Sequence, residues 1–168
     1  IEGSDQGKPN HLGQFNPLPN VFWGAKSGLH CLDHVVESVM EDGWTHHIPR
    51  LMILGNLATL LDVEPKQLSD WFHECFIDAF DWVVEPNVLG MASASMGTTM
   101  MTKPYVSGTP YINKMSDYCK SCEYNVKEKT TEKSCNIRTD ETRKIVQRLG
   151  TFTNWKVVSD ACTQEHLG

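Results

Sequence analysis

The feature that most constrains this chain is a set of apolar residues at helical spacing between positions 29 and 82. Leu29, Leu32, Val36 and Met40 recur every three or four residues, and Gly43 punctuates the end. Pro49 suits the first turn of a second helix, whose stripe is Leu51, Met52, Leu54, Leu57, Ala58 and Leu61. Pro65 opens a third, carrying Leu68, Trp71, Phe72, Cys75, Phe76 and Ala79. That helix is expected to run into Trp82 and stop before Pro86, because the residue before a proline avoids helical geometry. No convincing pair of alternating strands occurs. The pattern predicts an all-α fold, without internal repeats or a coiled-coil heptad array.

The flanks read differently. Residues 1–27 are rich in Gly, Pro and Asn and are expected to be an extended lead-in, with Phe22 and Trp23 as anchors. From Asn87 to Pro110 the periodicity fails, which predicts a long irregular stretch of functional or poorly ordered chain. A short helix is expected over Tyr111 to Cys119, a charged loop over 125–134, and a last helix over 140–149 capped by Gly150. The 168 residues suffice for one domain with a real core. A net charge of −6 carries no basic signature of a nucleic-acid binder, although a local patch can hide in an acidic chain. No apolar run approaches the length of a membrane span, and the N-terminus has no signal-peptide pattern or initiator Met. The expectation is a soluble, intracellular, cytoplasmic chain that is a fragment or the ordered part of something larger.

Six cysteines stand at 31, 75, 119, 122, 135 and 162, too sparse for a small secreted disulfide scaffold. Cys119 and Cys122, in SDYCKSCEYN, form a bidentate clip. A thioredoxin-like motif would open a helix after a strand, and none precedes it. Thiolates favour soft or borderline metals, so Cys135 is a candidate third ligand. The fourth would come from Cys31, Cys75, Cys162 or a histidine. Four thiolates suit either structural zinc or an iron–sulfur cluster, and the spacing does not decide between them.

Three further groups carry chemistry. WTHHIPR places His46 and His47 at a helix entrance with Arg50 one turn on, which joins proton-transferring groups to a cation. From residue type alone, a capping ring beside a solvated ring is the commoner reason for such a pair. Asp78, in FIDAFDWVVEPN, interrupts an apolar helical face; a carboxylate there is paired, or protonated, or turned to solvent. Arg50 is its obvious partner. HCLDHV sets His30 and His34 one helical turn apart, a legal zinc spacing, but without the Glu of a zinc hydrolase they read as surface or supporting residues.

Taken in order, CLDHVVES, THHIPRLMILGN, SDWFHECFIDAFDWVVEPNVLGM, KPYVSG and YINKMSDYCKSCEYNVKEKTTEKSC resemble the iron–sulfur bacterial cryptochrome and photolyase family, the deoxyribodipyrimidine photolyase-related and prokaryotic (6-4) photolyase-like proteins. The resemblance covers about 20–135. It implies a partial C-terminal helical FAD-binding domain over 28–135, with 136–168 as a divergent tail. It implies a [4Fe-4S] cluster held by Cys31, Cys119, Cys122 and Cys135, which leaves Cys75 and Cys162 spare. It implies light-driven repair of UV-damaged DNA, with reduced FAD as electron donor, His47 as proton donor to the lesion, and His46 and Arg50 completing a His-His-x-x-Arg motif. Arg50 and Asp78 resemble the ion pair bordering the flavin, and Asn87 lies in the segment approaching it. Trp71 and Trp23 match tryptophans that pass electrons from the surface to the flavin, and Trp71 also matches a residue of the flavin site. Tyr105 and Tyr111 suit contact with DNA or a part in electron transfer, and Lys103 suits contact with a phosphate.

The chain also departs from the family. ASASMGTTMM replaces a glycine-rich acidic turn, Val84 stands where many relatives carry an acidic residue, and CNIRTDETRKIVQRLG has no family match. The resemblance further implies an antenna domain that is missing at the N-terminus, and a monomer. The alternatives to repair of pyrimidine dimers, including (6-4) photoproducts, are a cryptochrome-like blue-light sensor, a truncated inactive remnant, and a four-cysteine zinc module.

Overall fold

The computed structural model describes residues 10, 12–92, 107–128, 131–135 and 137. Among them the fold is helical, with two isolated bridges, Asn16 with Val63 and Asn125 with Ser134, and no strand. This agrees with the all-α expectation. The 140–149 helix, the ASASMGTTMM segment beyond Ala92, Lys103, Tyr105 and Cys162 lie outside the described residues.

Helix α1 spans His30–Asp42 and buries Cys31, Leu32, Val35, Val36 and Val39. It ends on Gly43, whose φ of +63° is the left-handed cap that glycine adopts without strain. Its start is set by Asp33, which accepts hydrogen bonds from the Ser27 N–H (2.9 Å), the Ser27 hydroxyl (2.6 Å) and the Gly28 N–H (3.2 Å). Burial opposes the charge on Asp33, but these donors and Lys26 outweigh it and hold the carboxyl below the ordinary carboxylate range.

The second predicted helix is one continuous coil in three registers: α2 (His47–Pro49), a π segment π1 (Arg50–Gly55) and α3 (Asn56–Leu60). The third, α4 (Pro65–Cys75), begins at its proline as expected but does not reach Trp82. Phe76 is extended (φ −105°, ψ 129°), the Ile77 N–H donates to the Gly43 carbonyl (2.9 Å), and α5 (Asp81–Val84) starts afresh. Asp78 therefore sits on a turn, not on a helical face. The expected stop before Pro86 is also corrected, because the coil continues as π2 (Glu85–Ala92). The wider register absorbs a proline that cannot donate an i→i−4 bond. In α register Val83 O would take the Asn87 N–H; here the Asn87 side-chain amide donates to it at 2.6 Å. Thus 87–92 is helical, although its periodicity is not.

After the undescribed 93–106, α6 (Thr109–Met115) and a 3₁₀ turn (Tyr118–Ser121) complete the coil elements. Buried Asn56 ties this region back, donating to Ser107 O (2.6 Å) and accepting from Ser107 N–H (3.1 Å). The lead-in is not a free extension: a 3₁₀ turn (Asn20–Trp23) buries Phe22 completely against Trp71, with ring centroids 5.2 Å apart. Trp71 donates its indole N–H to Phe22 O at 3.0 Å. Trp23 is 52% exposed, so of the two expected anchors only Phe22 acts as one.

The two π segments meet at Gly55, where an added Cβ would lie 2.4 Å from Ala92 Cβ. Thr59 bridges the same contact, its hydroxyl lying 2.9 Å from both Gly55 O and Ala92 O. Gly55→Ala is therefore expected to lower stability by about 1–3 kcal/mol through overpacking, despite alanine's better helix propensity. Adding Ala92→Gly should recover part of it, as read by urea unfolding of the single and double variants.

Candidate cofactor cavity and cysteine centre

Because π1 and π2 lie side by side, the helix starts above them open into a cavity of about 250 Å³. Arg50 sets its charged lip. The guanidinium makes a two-pronged pair with Asp78, Nη1–Oδ1 3.1 Å and Nη2–Oδ2 3.0 Å. Its Nε–H donates to Thr45 O at 2.7 Å, and its carbon lies 4.3 Å from the centre of the Phe76 ring. Three of its five N–H groups are thereby held by the protein, which fixes the group in place. Val83, Val84 and Val88 give apolar walls, and Asn87 lines the same space. His47 also lines it, with its side chain otherwise exposed.

The other site residues expected from the sequence fall elsewhere. His46 faces a different cavity, its ring 4.6 Å from that of Trp44. Trp71 does not line the 250 Å³ cavity; it stands behind Phe72 and Phe76, which do, with centroids 5.2 and 5.8 Å away. Trp23 lies on the surface beside Phe22. Sequence reasoning missed Thr45, Trp44 and the Phe72–Phe76 stack (4.8 Å) as parts of this site. The signal for the stack was the density of aromatics around SDWFHECF, and Trp44 and Thr45 stand in the WTHHIPR stretch beside His46 and His47.

Cys31, Cys119, Cys122 and Cys135 line one small space of about 10 Å³. Three elements bring them together: α1 carries Cys31, the Tyr118–Ser121 turn presents the clip, and Thr109 of α6 holds the segment after Cys135 through its N–H to Ile137 O (2.9 Å) and its hydroxyl to the same carbonyl. Gly28, at φ +81°, lets the Tyr124 ring close over the space, since a Cβ there would come 3.2 Å from that ring. Cys75 stands apart on α4, half-buried. Burial pushes the Cys31 thiol up to about 12, with Cys135, Cys119 and Cys122 adding to the shift. Burial, then Cys135 and Cys122, also raise Cys119. Among the described residues, no group of three or more His, Cys, Asp or Glu side chains is placed to hold a metal ion. The four thiols thus share a space but do not converge on one point.

The chain is similar to the (6-4) photolyase of Agrobacterium fabrum (strain C58 / ATCC 33970), with 38% identity over 135 residues, 80% of this chain and 27% of that protein. This chain belongs to the photolyase and cryptochrome family. It is also 35% identical over 75 residues to an uncharacterised protein of Acanthamoeba polyphaga mimivirus, 45% of this chain and 61% of the other. No protein-family profile matches it. This photolyase-family chain therefore spans about a quarter of the length of the Agrobacterium relative. Among the described residues no helix is long and apolar enough to cross a membrane.

Two predictions follow from the geometry. Arg50→Ala leaves the Thr45 carbonyl and the Asp78 carboxylate without their partner and is expected to cost about 1–3 kcal/mol. Arg50→Lys should recover little, because an ammonium cannot make the fork; chemical denaturation reads both. Cys31, raised above the ordinary 9.0, releases its proton from the unfolded chain first. The reduced, metal-free protein should hold its stability below pH 9 and lose it progressively as pH rises toward 12. Cys31→Ala should flatten that alkaline slope in a pH series of melting curves.

Proposed function

We propose that this chain is the flavin- and lesion-facing part of a light-driven DNA photolyase that acts on (6-4) photoproducts. The observation that carries the reading is the cavity that His47 and the Arg50–Asp78 pair line together with apolar walls. Its chemistry suits the ring system of FAD, a flat heterocycle with polar edges. When bound, reduced FAD would supply one electron, on excitation, to the damaged pyrimidine pair.

The chain's own residues have separable parts. Arg50 and Asp78 present a fixed charged edge without needing to reorganise, since their geometry is already satisfied. Val84 and Val88 exclude water from the inner wall. Asn87, which lines the cavity, is held by its side-chain bond to Val83 O. His47 holds a proton at the mouth and gives it to the lesion as negative charge develops there; without that proton the lesion would return its extra charge unrepaired. A lesion must leave the base stack to reach such a mouth. Trp71, backed onto Phe72 and Phe76, and Trp23 on the surface are proposed to carry electrons inward. His46 is proposed to support its neighbour and the DNA contact.

For the cysteine centre we propose a [4Fe-4S] cluster on Cys31, Cys119, Cys122 and Cys135. The donor set fits: four thiols line one space, and a cluster distributes its ligands over several irons, whereas one zinc needs four sulfurs about 2.3 Å from a single centre. The 10 Å³ between them holds no more than a water, so a cluster held by these four thiols would need the half-buried clip to move outward. A second reading is favoured by size. The 250 Å³ cavity lies below the usual range of about 300–1,000 Å³ and takes a ring system, not a whole dinucleotide. On that reading the fragment does not retain FAD alone.

The test starts with iron, acid-labile sulfide, zinc and FAD measured on one anaerobic sample. Iron and sulfide in equal amounts with FAD support both proposals; zinc, or no metal, overturns the cluster. Where FAD binds, His47→Ala is expected to lower light-dependent repair by about 10²–10⁴-fold while leaving bound flavin unchanged. Repair unaffected by the substitution would remove His47 as proton donor.

A further inference from the structure

A second cavity, of about 470 Å³, lies on the opposite side of the His47–Leu60 coil and shares no lining residue with the first. The coil's own period separates them: His47, Arg50 and Leu51 face one cavity, while Ile48, Met52 and Ile53 face the other. Its volume falls within the usual small-molecule range. Buried Ile53 and Ile112 make an apolar floor. Tyr111 and Tyr118 supply rings, and His34 lies against Tyr118 with centroids 5.5 Å apart. Met52 and Met115 add thioethers, which pack well on aromatic faces.

Charge narrows the ligand. None of the described residues lining this cavity is Lys or Arg, and the one carboxylate among them is Asp117. An anion such as a phosphate finds no partner there and one repulsive neighbour. An N–H donor finds Asp117 and the Ser116 hydroxyl oxygen, whose own proton goes to Ile112 O (2.7 Å), and ring nitrogens and carbonyls find the imidazoles of His34 and His46. We propose that this cavity between α1, the α2–π1 coil and α6 binds a flat, uncharged, nitrogen-bearing heteroaromatic ring of nucleobase size. Tyr118 also lines the cysteine space, and His46 adjoins His47 in the chain. The bound ring would stand between the cysteine centre and the histidine pair. The proposal does not depend on flavin in the other cavity.

The ring could belong to a free small molecule or to a base on a strand. The full chain is titrated by calorimetry with thymidine, adenosine, thymidine monophosphate, single-stranded oligothymidine and an abasic strand of the same length. Binding of the nucleosides supports a free ligand; binding of oligothymidine but not of nucleosides or abasic strand supports a strand-borne base. In either case Met115→Trp, which fills the cavity from an exposed position, should weaken binding about tenfold or more. Tyr111→Ala is the second variant, and circular dichroism checks that both fold. Asp117→Lys should shift preference from thymidine toward its monophosphate. No binding by any base-bearing probe, or binding unchanged by Met115→Trp and Tyr111→Ala, overturns the proposal. FAD content measured in the same samples reports on the first cavity, so failure of that reading is distinguished from failure of this one.

Discussion

Arg50 is the interaction on which the rest of this structure leans. One guanidinium binds the Thr45 carbonyl before its own helix, the Asp78 carboxylate 28 residues later, and the face of Phe76. Those contacts bind the entrance of the α2–π1–α3 coil to the break between α4 and α5. The break itself is forced by the extended Phe76 and by the Ile77 N–H reaching Gly43. Without the cation, the Asp78 turn would have no reason to fold toward the coil, and the 250 Å³ cavity would lose one side. A half-buried fork is worth more here than a surface pair, because the Arg50 side chain is only 14% exposed and the pairing is two-pronged.

The π segments make the second constraint. A π register widens the helix and offsets the following side chains from α spacing. In π1 this helps turn Arg50 and Leu51 toward one cavity and Met52 and Ile53 toward another. In π2 it carries the chain through Pro86 without a break and frees Asn87 to bind Val83 O with its side chain. The two widened coils approach closely because Gly55 and Ala92 offer almost no side chain at the contact. Cavities arise beside such segments because the widened coils cannot pack edge to edge along their whole length.

The cysteine centre shows how a polar site is assembled from weak local elements. The clip sits in a half-exposed 3₁₀ turn, yet Tyr118, Tyr124, the Asp33 turn and the Thr109–Ile137 link gather all four thiols around one space. Bringing thiols together in a buried space costs charge stability, which is why Cys31 is held neutral to about 12. A cation placed there would reverse that preference, since a metal favours the thiolate.

Much of the fold was legible in the residues: the apolar period of α1, Gly43 as its cap, and Pro65 as the opening of α4 are local properties of the chain. So was the Arg50–Asp78 pair, because a carboxylate amid apolar residues needs a cation and one lay within reach. The gathering of Cys31 with the late cysteines was named through family resemblance, since spacing alone left four candidates open. What the tertiary structure decided is non-local. The break at Phe76 depends on Gly43, 33 residues earlier in the chain, and the π registers depend on Gly55 meeting Ala92 and on Pro86 lacking a donor. The sides on which His46 and His47 fall follow from the helix start between them, His46 being extended and His47 the first residue of α2, and no periodicity in the sequence records it. By itself, the sequence determined where α1 and α4 begin and which chemistry their residues carry; packing between distant segments decided where the helices break or continue and which side chains share a cavity, because close approach and hydrogen-bond satisfaction are settled only when the partners meet.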